Sequence, residues 1–262
     1  MTHMTDMKFV GIIPARYAST RFPGKPLADI FGKPMIQHVY ERASQVLETV
    51  VVATDDKRIY DAVEAFGGRV VMTSENHKTG TDRCYEALTK LPDRYDVVIN
   101  IQGDEPYIAT EQIEALKHCF DANGTQLATL VKPFAPDAAY QELQNPNSPK
   151  VVVNQHDEAI YFSRSVVPYL RGVAPDEWAQ RHTYYKHIGI YAYRTDILAQ
   201  ITKMAQTPLE KAESLEQLRW LENGLHIRVA ITNAENISID TPDDLAALLQ
   251  KKSQVARQRN KE

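Results

Sequence analysis

Residues 9–27 read FVGIIPARYASTRFPGKPL. The first five, Phe9 to Ile13, form an unbroken apolar run stopped by Pro14, which reads as a short strand buried on both faces. The residues that follow carry three cations, Arg16, Arg21 and Lys25, among the small residues Ala15, Ala18, Ser19, Thr20 and Gly24. Strands buried on both faces belong to parallel sheets, and open α/β sheets bind ligands beyond the carboxyl ends of such strands. Planar Arg forks, a Lys point charge and accessible backbone N–H groups are the partners a polyphosphate requires. Charge alone fits a solvated basic surface loop equally well; the position after the first strand favours the anion site.

Outward from this stretch the same grammar repeats. Val50–Thr54 and Val97–Ile101 are further apolar runs, with Arg69–Met72 and Leu127–Val131 as weaker strands. Between them, residues 34–47, 56–66 and 110–120 place apolar side chains at helical spacing, the first behind Pro34 and the others behind capping residues. Strands alternating with helices predict an α/β fold, Rossmann-like, with a mostly parallel central sheet flanked by helices. The pattern changes near Pro146. Lys150–Asn154 and Ala159–Phe162 read as paired strands, and Lys186–Arg194 alternates as a half-buried strand. Residues 146–194 are therefore expected as an antiparallel inserted subdomain. Glu210–Asn223 reads as one amphipathic helix stopped by Gly224, Ile227–Ile231 as a strand, and Thr241-Pro242-Asp243-Asp244 as the start of a last helix. The expected organisation is a flexible leader over 1–7, one α/β domain over 8–249, and a frayed basic tail over 250–262.

The chain has 262 residues, 43% hydrophobic and 24% charged, with a formal net charge of −4. That balance belongs to an ordinary globular protein and argues against nucleic acid as a partner. Two cysteines, Cys84 and Cys119, lie outside any metal-ligand spacing and read as reduced thiols. No apolar run has transmembrane length, so no membrane insertion is expected, and residues 1–7 lack the pattern of a secretion signal. The expected location is the cytoplasm.

Three more stretches are candidates for chemistry. Asn100-Ile101-Gln102-Gly103-Asp104-Glu105-Pro106 ends a central strand, where a carboxylate beside Gly can hold Mg²⁺ against phosphate oxygens; a polar β-turn needs the same residues. Ile237-Ser238-Ile239-Asp240-Thr241-Pro242 offers Asp240 as a second carboxylate, although Asp240 or Thr241 equally fits a helix cap. His77-Lys78-Thr79-Gly80-Thr81-Asp82-Arg83 reads as a turn into a helix, with Thr81 or Asp82 as cap. Arg83 is left between a ligand contact and a pair with Asp82. The first loop is neither a Walker A loop nor a GxGxxG turn.

These motifs, in this order, resemble those of the sugar-acid cytidylyltransferases, whose first loop reads close to PAR-x-x-S-T-R-x-P-x-K-x-L. Every one of those letters is present here, and QGDEP, KHIGIYAY, ESLEQLRWLENG and IDTPDDL also match. Phe22 departs from the frequent Leu. The resemblance implies the nucleotide-diphospho-sugar transferase type of fold, with CTP as nucleotide and 3-deoxy-manno-octulosonate (Kdo) as the sugar acid, and an activity in lipopolysaccharide synthesis. It implies nucleotide binding by Pro14, Ala15, Arg16, Ser19, Thr20, Arg21, Lys25, Lys78, Thr79, Gly80, Thr81, Gln102 and Gly103. Mg²⁺ would be held by Asp104 and Asp240, and catalysis carried by Arg16, Lys25, Asp104 and Asp240. The sugar acid would meet Gln102, Arg164, His187, Tyr191, Glu216 and Gln217, with Arg164 on its carboxylate. A homodimer through the 151–185 region is also implied. Rival readings are a sialic-acid type of cytidylyltransferase, a metal-dependent glycosyltransferase, which would show a D-x-D strand end, and a nucleotide-binding module without catalysis.

Overall fold

The computed structural model describes residues 7–235 and 237–259, with side chains described through Gln250. In chain order the first elements are β1 (Phe9–Ala15), β2 (Asp29–Ile30), β3 (Lys33–Pro34), α1 (Met35–Ala43), β4 (Val50–Thr54), α2 (Lys57–Ala65), β5 (Val70–Met72) and α3 (Gly80–Thr89). Next come β6 (Val97–Asn100), α4 (Thr110–Cys119), β7 (Leu127–Pro133), α5 (Tyr140–Leu143), β8 (Lys150–Val153) and β9 (Ala159–Ser163). The last are α6 (Trp178–Arg181), β10 (Tyr185–Arg194), α7 (Thr195–Ile201), α8 (Pro208–Glu213), α9 (Gln217–Glu222), β11 (Ile227–Ile231) and α10 (Pro242–Arg259). They form an α/β fold with a mostly parallel central sheet flanked by helices, plus the small antiparallel pair β2–β3. No helix among the described residues is long and apolar enough to cross a membrane.

The chain divides into two compact units, where the sequence predicts one domain with an insertion. The first comprises Phe9–Arg94, Asn100–Thr110 and the residues from Glu235 onward. Its strands β1 and β4 run parallel in register from Gly11 opposite Val50 to Ala15 opposite Thr54, and β5 continues the parallel set beside β4. Every residue of β4 is buried, as an apolar run covered on both faces requires. Helix α1 buries Met35, Ile36, Val39 and Ala43 along one stripe, with Pro34 one position before its first turn. Asp56 caps α2 by accepting the Arg58 N–H. Thr79, not Thr81 or Asp82, caps α3: its hydroxyl accepts the Asp82 N–H at 3.1 Å, so the helix starts at Gly80. Ahead of α10, Thr241 and Asp244 cap reciprocally, the Asp244 carboxylate accepting the Thr241 N–H at 2.8 Å and the Thr241 hydroxyl accepting the Asp244 N–H at 3.2 Å. Ile239 and Leu248 pack with Ile30 and Met35, beside Phe22 and Tyr107, which seats α10 in this unit. The helix continues past Gln250 to Arg259, through residues the sequence assigns to a frayed tail. Residues 260–262 and most of the expected leader, residues 1–6, lie outside the described residues.

The second unit holds Tyr95–Ile99 and Glu111–Ala234. Here β11 runs parallel to β7, β10 antiparallel to β7, and β8 with β9 forms an antiparallel pair joined to β10 through Tyr185 opposite Val151. Strand β10, expected within the insertion, thus pairs along its length with β7. Its register slips between Ile188 and Tyr191, at Gly189. A second apolar cluster gathers Phe134, Leu143, Trp178 and Tyr184.

The helix expected over Glu210–Asn223 is two short helices, α8 and α9, broken at Ser214, whose backbone is left-handed at φ 51°. The cause lies 50 residues away. Arg164 donates from Nε to the Glu213 carbonyl at 2.6 Å and from Nη2 to the Ser214 carbonyl at 3.3 Å, so a side chain takes up carbonyls that a continuous helix would use itself. Glu213 locks the joint by accepting the Ser163 hydroxyl at 2.7 Å and the Arg164 N–H at 2.9 Å. Helices α8 and α9 are tied by a bidentate pair in which Arg219 donates to both oxygens of Glu210, at 2.8 and 2.6 Å, with each side chain under a tenth exposed. Removing one partner of such a pair leaves the other charge buried without compensation. Arg219→Met should therefore lower unfolding free energy by about 3–5 kcal/mol, read by urea titration, whereas Lys57→Met, which removes an exposed pair with Asp61, should leave it essentially unchanged.

Candidate functional site

The first unit builds its site from the end of β1. After Ala15 the chain turns so that the Tyr17 carbonyl accepts the N–H groups of Ser19 and Gly24, both at 2.9 Å, and the Ser19 hydroxyl accepts the Phe22 N–H. Gly24 adopts φ 70°, and a side chain there would meet the Tyr17 ring at 2.9 Å, so glycine is required twice over. That turn delivers Lys25 onto a short 3₁₀ turn, Lys25–Leu27. Its ammonium then sits 2.7 Å from Asp104 Oδ2 and 3.5 Å from Asp240 Oδ1. Arg21 reaches the same Asp240 oxygen at 2.9 Å. The two carboxylates are brought together by backbone, since the Ile239 N–H donates to the Asp104 carbonyl at 3.0 Å. Gly103 leaves room for this: a Cβ there would stand 3.2 Å from the Pro14 carbonyl oxygen.

A cleft of about 300 Å³ opens over these groups. It gathers Pro14, Ala15, Arg16, Ser19, Arg21 and Lys25 from the first loop, Lys78, Thr79 and Gly80 from the α3 turn, and Gln102, Gly103, Asp104 and Asp240. Two of the predicted nucleotide residues are not among its lining. Thr20 is exposed on the loop, and Thr81 is buried in the first turn of α3. Arg83 does line the cleft, and its acidic partner is Asp55 in place of Asp82. Arg83 is 4% exposed and donates to the Thr73 hydroxyl and the Asp55 carboxylate, each at 2.6 Å. Asp55 escaped the sequence reading, although it directly follows the buried strand β4, the position that marked Asp104. A second cavity of about 410 Å³ shares Arg16, His77 and Arg83 with the cleft and adds Tyr17, Asp55 and Arg58.

The α3 turn is held from behind by Glu86. Burial raises its carboxyl pKa, but Lys90, the Ser74 N–H and His77 all hydrogen-bond to it, and the net result is a value of about 2. Among the described residues, no group of three or more His, Cys, Asp or Glu side chains is placed to hold a metal. Asp104 and Asp240 are the fitting pair: hard oxygen donors that already converge on one cationic centre. A hard divalent ion such as Mg²⁺ takes one or two carboxylates and completes its shell with phosphate oxygens and water.

The predicted sugar-acid residues belong to the second unit. His187 and Tyr191 flank the β10 irregularity, their rings 5.3 Å apart, with Phe162 edge-on to His187 and Trp220 edge-on to Tyr191. Thr129, fully buried, has one hydroxyl proton, and the Ile190 carbonyl at 2.8 Å takes it. The Thr129 oxygen is then the acceptor for His187 Nε2 at 3.0 Å, which leaves Nδ1 as the acceptor of the ring. Desolvation lowers the His187 pKa to about 4, so the ring is neutral at neutral pH. Burial, then Tyr193 and Glu216, keeps Tyr191 a neutral phenol. Gln217 is 4% exposed and its Nε2 has no hydrogen-bond partner; Glu216, one residue before α9, stays partly exposed. The Arg164 guanidinium donates to the carbonyls of Glu213, Ser214 and Pro146, which takes up three of its five N–H groups.

Fold and site together define a nucleotidyltransferase: a parallel-sheet protein with a cation-rich loop over paired carboxylates. A family model described as cytidylyltransferase matches residues 10–231, and the chain belongs to the cytidylyltransferase family. The 3-deoxy-manno-octulosonate cytidylyltransferase of Parabacteroides distasonis is 63% identical over 244 residues, covering 93% of this chain and 97% of that protein. Its counterpart from Phocaeicola vulgatus is 63% identical over 240 residues, 92% of this chain and 95% of that one. Among solved structures, CMP:2-keto-3-deoxy-manno-octonic acid synthetase complexed with CTP matches with a TM-score of 0.85 at 45% identity, covering 94% of this chain and 99% of that one.

Two titrations should mark these sites. The His187 pKa is lowered in the fold, so the unfolded chain binds the extra proton and stability falls as pH drops from 6.5 to about 4. His187→Asn should flatten thermal stability across that window, where the histidine accounts for up to about 3 kcal/mol. Glu86 is also lowered, so its contribution is complete above pH 4.5 and is lost as pH falls to about 2. Glu86→Gln should lower melting temperature at pH 7 and converge with the wild type near pH 2, as followed by circular dichroism.

Proposed function

We propose that the chain transfers CMP from CTP to Kdo, giving CMP-Kdo and pyrophosphate for lipopolysaccharide synthesis. The observation that carries this reading is the Lys25 ammonium held between Asp104 and Asp240 under the Arg16–Arg21 loop. Such a cluster can exchange its internal ion pairs for a polyphosphate and a divalent ion. Relatives matched over more than nine tenths of this chain are named for this activity.

In the proposed mechanism the anomeric hydroxyl of Kdo attacks the α-phosphorus of CTP in line. A new O–P bond forms as the bond from the α-phosphorus to the α–β bridging oxygen breaks, the hydroxyl proton passes to solvent water, and pyrophosphate leaves with the electron pair. Arg16, Arg21 and Lys25 neutralise the triphosphate and the departing pyrophosphate. Lys78, Thr79 and Gly80 offer their turn to the base and ribose, with Gln102 and Gly103 beside the phosphates. Asp104 and Asp240 would hold Mg²⁺, which would supply Lewis-acid neutralisation of phosphate charge there. Neutral His187 offers Nδ1 to a sugar hydroxyl, and Tyr191, Glu216 and Gln217 supply further donors and acceptors. Arg164 acts by holding the α8–α9 break that sets Glu216 and Gln217. We further propose a cytoplasmic homodimer, supported by Tyr169, 74% exposed within the 151–185 stretch.

Pyrophosphate release should require CTP, Kdo and Mg²⁺ together; release with CTP alone at the same rate would sink the reading. Asp104→Asn and Asp240→Asn should each lower kcat by about 100-fold or more, as losing several kcal/mol of metal stabilisation implies. Chelation should abolish turnover and added Mg²⁺ restore it.

A further inference from the structure

The phosphate loop is braced by a residue outside it. Asp56 caps α2 through its Oδ1, and the same carboxylate receives the Arg58 guanidinium in a two-point grip, Nε at 3.0 Å and Nη2 at 2.6 Å. The grip leaves the guanidinium little freedom and lays it 3.3 Å from the centroid of the Tyr17 ring. Tyr17 is the hinge pin of the loop. Its carbonyl accepts two loop N–H groups, and its ring occupies the space beside Gly24 where a Cβ would stand. Arg16 precedes it, and Lys25 follows Gly24. The ring therefore sets the positions of two cations, one on each side of the turn, although Tyr17 itself carries no charge.

We propose that Arg58 is a positioning residue for nucleotide binding, acting through Tyr17 and Gly24 on Arg16 and Lys25. The inference rests on reading Pro14–Lys25 as the triphosphate loop. Asp56 and Arg58 line the cavity beside the cleft and are absent from the cleft itself, so the guanidinium braces the loop without lying among the groups proposed to meet the phosphates. A pre-ordered loop binds its anion without first having to be immobilised. The Arg58 side chain is 59% exposed, so its loss weakens the loop's order more than the fold.

The test measures CTP binding by calorimetry alongside steady-state kinetics in the full chain. Arg58→Ala should weaken CTP binding and raise KM for CTP about fivefold, the size of one exposed cation–π contact. The KM for Kdo and kcat should stay within about twofold, and melting temperature should hold. Lys57→Ala, which removes a like charge one residue away, should leave CTP affinity unchanged. Tyr17→Leu should reproduce the defect, and the Arg58→Ala/Tyr17→Leu double variant should be no worse than Tyr17→Leu alone, because both act through one contact. Unchanged CTP affinity in Arg58→Ala, an equal defect in Lys57→Ala, or multiplicative losses in the double variant would each overturn the proposal. CTP binding without Kdo-dependent turnover in the wild type would overturn the proposed reaction instead, and the affinity comparison would still decide the role of Arg58.

Discussion

A single ammonium group, that of Lys25, stands between carboxylates 79 and 215 residues further along the chain. Two carboxylates that converge on one nitrogen also repel each other. Lys25, with Arg21 on Asp240, offsets that repulsion. The cluster is partly open to water, its side chains 15–39% exposed apart from Arg21 at 66%. Its ion pairs are therefore weak enough to be exchanged. Everything in the first unit follows from placing that nitrogen: the end of β1, the left-handed Gly24, the Tyr17 ring against it, and the Ile239 hydrogen bond that carries Asp240 to Asp104. In the proposed reaction a polyphosphate would meet cations already collected, and a divalent ion carboxylates already paired.

The second unit solves a different problem, for the hydroxyls of a sugar acid would need fixed donors and acceptors in place of movable charges. Thr129, Ile190 and His187 fix the direction of an imidazole by allotting one proton. Arg164 fixes the break between α8 and α9 by occupying backbone carbonyls. Both devices use hydrogen bonds too buried or too numerous to rearrange at low cost.

What the sequence made legible follows from the range over which each signal acts. Strands β1 and β4 were readable because burial on both faces writes itself as a local apolar run, and their bounds hold within two residues. The loop, QGDEP and IDTP were readable as motifs, and the structure brings Lys25, Asp104 and Asp240 together. Ser214 could not be foreseen as a break, because residues 210–223 have a sound helical pattern and the force that divides them comes from Arg164. The three carbonyls that Arg164 reaches were hidden for the same reason, since they lie 18 to 50 residues away along the chain. Arg83 with Asp55 and Arg58 with Tyr17 are also pairings across the fold, invisible to spacing. Thr20 and Thr81 sit inside matching motifs yet outside the cleft lining, since a motif records a segment's presence and not the direction of each side chain.

The hydrogen bond from Ile239 to the Asp104 carbonyl has a consequence for how the molecule comes into being. Synthesis proceeds from the N-terminus, so Lys25 and Asp104 leave the ribosome long before Asp240. Until that last segment docks through Ile239 and Leu248, the growing chain carries the cationic loop with only one of its two acidic partners. The charge cluster is therefore complete only when the chain is nearly whole.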